Sequence, residues 1–124
     1  LMEGKKQTIR LEHIDCPEKN QPFGNRAKQR IAELCFGKNV TISLPFKYDR
    51  NRRIIATVYL NNEINVNQEL VRNGLAWHFK KYSNNQEYAS LEIAARKKHL
   101  GLWKDPHPMA PWDWRKAKKH SSKN

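Results

Sequence analysis

The sequence predicts one α+β domain, a small closed barrel with helices packed on it. Three observations carry that prediction. Apolar and polar residues alternate over 7–14, 40–46 and 54–60, the period of half-buried strands. Apolar residues recur at helical spacing over 27–35, 66–73 and 87–99. The 124 residues, 38% hydrophobic and 29% charged, suffice for one modest core and not for two.

The elements follow in order. Leu1 and Met2 read as the stub of a strand, and Gly4-Lys5-Lys6 as a turn. In 7–14, Ile9, Leu11 and His13 share one face, with Thr8, Arg10 and Glu12 on the other. His13 therefore reads as a core histidine rather than a ligand. Asp15-Cys16-Pro17 ends that strand, because the residue before a proline is held extended. Ala27, Ile31, Leu34 and Cys35 form the stripe of a first helix, stopped by Gly37. Val40, Ile42, Leu44 and Phe46 alternate as a strand, as do Ile54, Ala56, Val58 and Leu60, with a charged turn at Tyr48–Arg52 between them. Asn61-Asn62 reads as a tight hairpin to a short strand at Glu63–Asn65. Val66–Asn73 with Gly74 and Glu87–His99 with Gly101 read as two capped helices. Trp103 reads as a core seal, and Trp112 and Trp114 as pins for the C-terminal segment, although exposed tryptophans can also stack bases. The expected organisation is a domain over 1–115 and a basic, disordered tail over 116–124.

Charge narrows the function. Twenty-four Lys and Arg face 12 Asp and Glu, a net charge of +12. Without the five cations of the last ten residues the body still carries +7. That excess points to a polyanionic partner, nucleic acid before an acidic membrane surface, with solubility charge as the bland alternative. No apolar run approaches the roughly 20 residues of a membrane span. Two cysteines are too few for a disulfide scaffold and fit no zinc spacing. Cys35 reads as a small core hydrophobe and Cys16 as a loop thiol without a base, and a bond between them stays open.

Chemistry concentrates at Arg10–Glu18, read together with Asp49–Arg53. Asp15 and Glu18 put two carboxylates on one short loop after a strand, a donor type suited to a hard cation such as calcium. Arg10 lies on the strand that ends at this loop. Phosphodiester cleavage needs such parts: a cation and guanidinium groups for charge at phosphorus, and a base for a water. On spacing alone, two exposed acids and a surface Arg fit as well.

Ile9-Arg10-Leu11-Glu12-His13-Ile14-Asp15-Cys16-Pro17-Glu18 resembles the R-L-x-x-I-D-x-P-E signature of the staphylococcal nuclease family. Gln21-Pro22-Phe23-Gly24, the Asp49–Arg53 turn, Val66–Ala76, Tyr82-Ser83, Gly101-Leu102-Trp103 and Pro111–Arg115 continue the resemblance in one order along nearly the whole chain. The resemblance implies an OB-like five-stranded barrel with three helices, its first strand partly missing here. It implies a calcium-dependent nuclease acting on DNA and RNA with little sugar specificity, leaving 3′-phosphate ends. The rival is a module of the same fold that binds nucleic acid without cutting it. Residue by residue, Asp15 and the backbone carbonyl of Cys16 would hold one Ca²⁺, with a further Asp expected upstream of residue 1. Arg10 and Arg53 would clamp the phosphate, Glu18 would orient or deprotonate the attacking water, and Arg50 and Tyr82 would contact a second phosphate. Lys80 departs from the family pattern and carries no role over. Arg52 competes with Arg53, and the five-residue register from Asp49 favours Arg53; Asn51 is expected to supply the left-handed turn residue. The implied partners are single-stranded or frayed DNA and RNA, the implied state a monomer, and the implied location secreted or periplasmic, with a targeting segment upstream of this chain.

Overall fold

A computed structural model describes residues 7–121. The expected strand stub at Leu1-Met2 and the turn at 4–6 lie outside the described residues, as do 122–124. Eight short strands and four helices follow one another. They are β1 (Ile9–Leu11), β2 (Ile14–Asp15), α1 (Gly24–Cys35), β3 (Val40–Ile42), β4 (Lys47–Tyr48), β5 (Ile54–Ala56), β6 (Val58–Leu60), β7 (Ile64–Asn65), α2 (Val66–Arg72), β8 (Trp77–His78), α3 (Gln86–Lys97) and α4 (Pro111–Ser121), with a 3-10 turn at Gly101–Lys104 before α4.

The α+β class is as expected, but among the described residues the strands form three open sheets, ordered β1-β5-β4, β2-β8 and β3-β6-β7, and no closed barrel. Three local interruptions explain the difference. His13 takes φ 71°, so the 7–14 run breaks after β1, which runs parallel to β5, and restarts as β2 against β8. Its ring lies half-buried, 4.8 Å from Tyr88, off the face of Ile9 and Leu11. The 40–46 run stops at Ile42 because Pro45 has no N–H to donate to a ladder. Leu44, expected inside, is 78% exposed. The 54–60 run keeps its inward face, with Ile54, Ala56, Val58 and Leu60 all buried, but Thr57 divides it between two sheets.

Helices α2 and α3 begin where side chains satisfy their first N–H groups, whereas α1 starts after Phe23 without a side-chain cap. Asn65 Oδ1 accepts from Gln68 N at 2.9 Å to start α2, and Asn85 Oδ1 from Glu87 N at 2.9 Å to start α3. Gly74 closes α2 with φ 73° as expected, but α3 stops at Lys97 and its left-handed closing residue is His99, φ 54°, not Gly101. Gly101, φ 50°, opens the 3-10 turn instead, and the two glycines meet. Leu102 N donates to Gly74 O at 2.8 Å, and a Cβ on Gly74 would stand 2.2 Å from Leu100 O. Only glycine permits that approach.

Ile14, Ala27, Leu70, Val71, Leu75, Ala76 and Tyr88 fill the core between the helices. Trp77, Ala95, Leu102, Trp103 and Ala110 form a second cluster, so Trp103 seals the core as expected. Asn67 joins the layers. Fully buried, its Oδ1 accepts from Val58 N at 3.2 Å, and its Nδ2 donates to Glu12 O at 3.0 Å and Ala56 O at 3.2 Å. Each buried polar group left unpaired costs about 1–3 kcal/mol. Asn67→Ala is therefore expected to lose about 3 kcal/mol in urea unfolding, and a loss below about 1 kcal/mol would refute this role.

The C-terminal segment departs most from expectation. Residues 116–121, anticipated as part of a disordered arm, continue α4. Proline at its first position and the helix-favouring Arg115, Lys116, Ala117, Lys118 and Lys119 support it. Trp112 anchors it, stacked on Phe79 at 5.3 Å and edge-on to Trp77 at 5.5 Å.

A cationic cleft at the end of the first strands

Asp15 lies at the end of β2, paired in register with Trp77 and buried. Glu18 follows on a loop held from both sides. Gln21 N donates to Glu18 O at 2.9 Å, and Glu18 N donates to Gln21 Oε1 at 3.0 Å. Gln21 Nε2 in turn donates to Met109 O at 2.6 Å, tying this loop to the residues before α4. Gly24 backs it so closely that a Cβ there would come within 1.9 Å of Glu18 O.

Arg10 is aimed by the kink at His13. Its Nη1 donates to the carbonyls of Leu11 and Ile14, the latter at 2.9 Å, and its guanidinium lies 5.4 Å from the Phe79 ring centre. Arg53 is set by its turn. Asp49 Oδ1 accepts from the backbone N–H groups of Asn51 and Arg53, both at 2.9 Å, and Asp49 Oδ2 accepts Arg53 Nε at 2.8 Å. Those hydrogen bonds, led by the Arg53 backbone N–H, hold the Asp49 carboxyl below its ordinary pKa. The left-handed residue of this turn is Arg52, φ 61°, not Asn51 as expected. Asn51 instead gives its N–H to Asp49, so the strained geometry falls one residue later.

Arg10, Asp15, Glu18, Arg53 and Tyr82 line one cavity of about 810 Å³. Arg50 lies in an adjoining cavity of about 610 Å³, which shares Arg10, Arg53 and Tyr82. Arg52 lines neither. Tyr82 is 73% exposed and edge-on to Phe79 at 4.9 Å. Lys80 also faces the first cavity, while its Nζ donates to Glu92 Oε2 at 2.8 Å. Both cysteines are free, and burial pushes the Cys16 thiol up to about 12, which leaves it without nucleophilic character at neutral pH.

Sequence reasoning missed Arg115. From the first turns of α4 its Nη2 donates to Asp15 Oδ2 at 2.6 Å and its Nη1 to Asp15 Oδ1 at 3.2 Å. The same Nη1 lies 3.5 Å from Glu18 Oε1. Its hydrogen bonds to Asp15 raise the Arg115 pKa above its ordinary value. A signal existed: Arg115 follows Trp112 by three residues, so any helix there puts both on one face. Trp114, expected as a second pin, stands half-buried under Lys118, whose Nζ lies 5.3 Å from its ring centre.

A carboxylate pair thus lies among guanidinium groups in one open basic cleft. The staphylococcal nuclease homologue family model matches residues 8–105, and the chain belongs to this family. It is 39% identical over 120 residues to a protein of Haemophilus influenzae named an uncharacterized endonuclease, covering 96% of this chain and 66% of that protein. An Escherichia coli protein of the same name is 40% identical over 119 residues, covering 95% of this chain and 77% of its own length. A rice protein, probable staphylococcal-like nuclease CAN2, is 35% identical over 117 residues, covering 94% of this chain and 31% of that protein. The chain thus spans from about a third to about three quarters of these relatives.

Proposed function

We propose that this domain is a calcium-dependent nuclease that hydrolyses phosphodiester bonds of DNA and RNA with little sugar specificity and leaves 3′-phosphate ends. The observation that carries the reading is the single cavity holding Arg10, Arg53, Asp15 and Glu18 together. Family membership and relatives named as nucleases support it. In this reading Arg10 and Arg53 grip the non-bridging phosphate oxygens with planar forks, and their charge counters what develops at phosphorus. Glu18 holds a water for attack and takes up its proton. Arg50 and Tyr82, one cavity further on, bind the neighbouring phosphate of a single or frayed strand. The domain acts as a monomer.

Asp15 and the Cys16 carbonyl would hold the calcium ion. The donor set fits in kind: hard oxygens at a loop that already accommodates a positive charge, the Arg115 guanidinium, across both Asp15 oxygens. It is a thin set, since among the described residues no three His, Cys, Asp or Glu side chains gather as a metal cluster. When bound, calcium would neutralise phosphate charge. Among the described residues no helix is long and apolar enough to cross a membrane.

The test is incubation with plasmid DNA and single-stranded RNA, with calcium or with chelator, followed by end analysis. Calcium-dependent cleavage of both polymers to 3′-phosphate ends is expected. Retardation of either polymer without cleavage would select the binding module instead.

A further inference from the structure

Asp15 is paired with a cation of its own chain. Its side chain is 9% exposed, and the Arg115 fork covers both carboxylate oxygens at 3.2 and 2.6 Å. Arg115 also reaches toward Glu18 Oε1 at 3.5 Å, so one guanidinium spans the two acids of the cleft. Its helix is no loose arm: Pro111 and Ala110 are buried, Trp112 stacks on Phe79, and the Met109 carbonyl is fixed by Gln21. The side chain itself remains 40% exposed, so it can swing out without α4 undocking. A divalent cation at Asp15 needs the same oxygens, and two cations a few ångströms apart repel strongly in a partly desolvated site. Sharing the carboxylate would set the two cations against that repulsion.

We propose that Arg115 is a built-in competitor for the divalent-cation position at Asp15, so that metal loading requires its guanidinium to release the carboxylate. The proposal rests on the reading of Asp15 as a cation ligand. It makes α4 a part of the site: Arg115 holds the acids in place while the ion is absent. A contact that merely tethered α4 would leave metal affinity unchanged when removed, and one that pre-shaped Asp15 for the ion would lower it. Competition raises it, and the Arg115 side-chain resonance separates displacement from simple charge repulsion, which would leave the Arg115–Asp15 contact in place.

The measurement is calcium titration calorimetry on the 124-residue chain and on Arg115→Met, with melting curves of both in chelator and in calcium. Arg115→Met is expected to bind calcium tenfold or more tightly than wild type. It is also expected to melt lower in chelator, because a buried carboxylate has lost its partner, and to gain more from calcium. Equal or weaker affinity in the variant, or no uptake by either protein, overturns the proposal. A second readout needs no variant: calcium added to wild type should shift the Arg115 side-chain Nε–H resonance, and no shift at saturation overturns it. The nuclease reading fails separately. Tighter calcium binding by Arg115→Met without cleavage of any polymer leaves the competition standing, whereas calcium-dependent cleavage with equal affinities removes only the competition.

Discussion

Arg10→Lys and Arg53→Lys are each expected to lower turnover about 10²–10³-fold with the fold intact, the usual range for removing one preorganised donor from a developing anion. Lysine keeps the charge but loses the planar fork. It also loses the aim. The Arg10 guanidinium is fixed by the Leu11 and Ile14 carbonyls and by Phe79, and Arg53 by Asp49 through Nε. An ammonium cannot hold those anchors and present a second edge to a phosphate. Single-turnover cleavage of a labelled oligonucleotide measures the effect, and near wild-type rates in either variant would remove that residue from the reaction. Arg52→Gly is the control. Arg52 lies outside both cavities in left-handed backbone, a conformation costing a non-glycine residue about 1–2 kcal/mol, so glycine there should keep full activity and raise stability slightly.

Glu18→Gln is expected to cut turnover by about 10²–10⁴-fold, the usual contribution of a positioned acid–base group, while substrate affinity changes little. The amide matches the carboxylate in shape, and the loop beneath is held by backbone contacts that the substitution leaves alone: Gln21 on both sides and Gly24 behind. The carboxylate is 42% exposed in the cleft, which gives it access to a water. Binding measured beside cleavage separates the cases. A fall in affinity with turnover per bound complex preserved would make Glu18 a structural acid.

Residue pattern alone placed much of this. Helices α2 and α3 were legible because their apolar stripes are local and, for α2, because Gly74 stands at its end; the Asn65 and Asn85 caps and the closure of α3 at His99 emerge only in the structure. Arg10, Asp15, Glu18, Arg53 and Tyr82 were legible as a group through the resemblance, and they do line one cavity. Strand ends were not. Alternation in 7–14 reports which residue types share a face, but nothing in it says that His13 turns left-handed and hands the chain from one sheet to another. Pro45 was a readable warning that the 40–46 run could not be one ladder.

The sequence by itself determined the basic charge, the α+β class, helices α1 to α3, and the loop that pairs Asp15 with Glu18. All of these depend on residues within a turn or a strand of one another. Only the tertiary structure decided that β1 lies beside β5 while β2 lies beside β8, that Arg53 rather than Arg52 faces the cleft, and that α4 closes over the acids. The last is the clearest case. Asp15 and Arg115 stand 100 positions apart, and no periodicity spans that distance. They meet because Trp112 is buried against Phe79 and Trp77, a packing energy that belongs to the assembled core and to no segment alone.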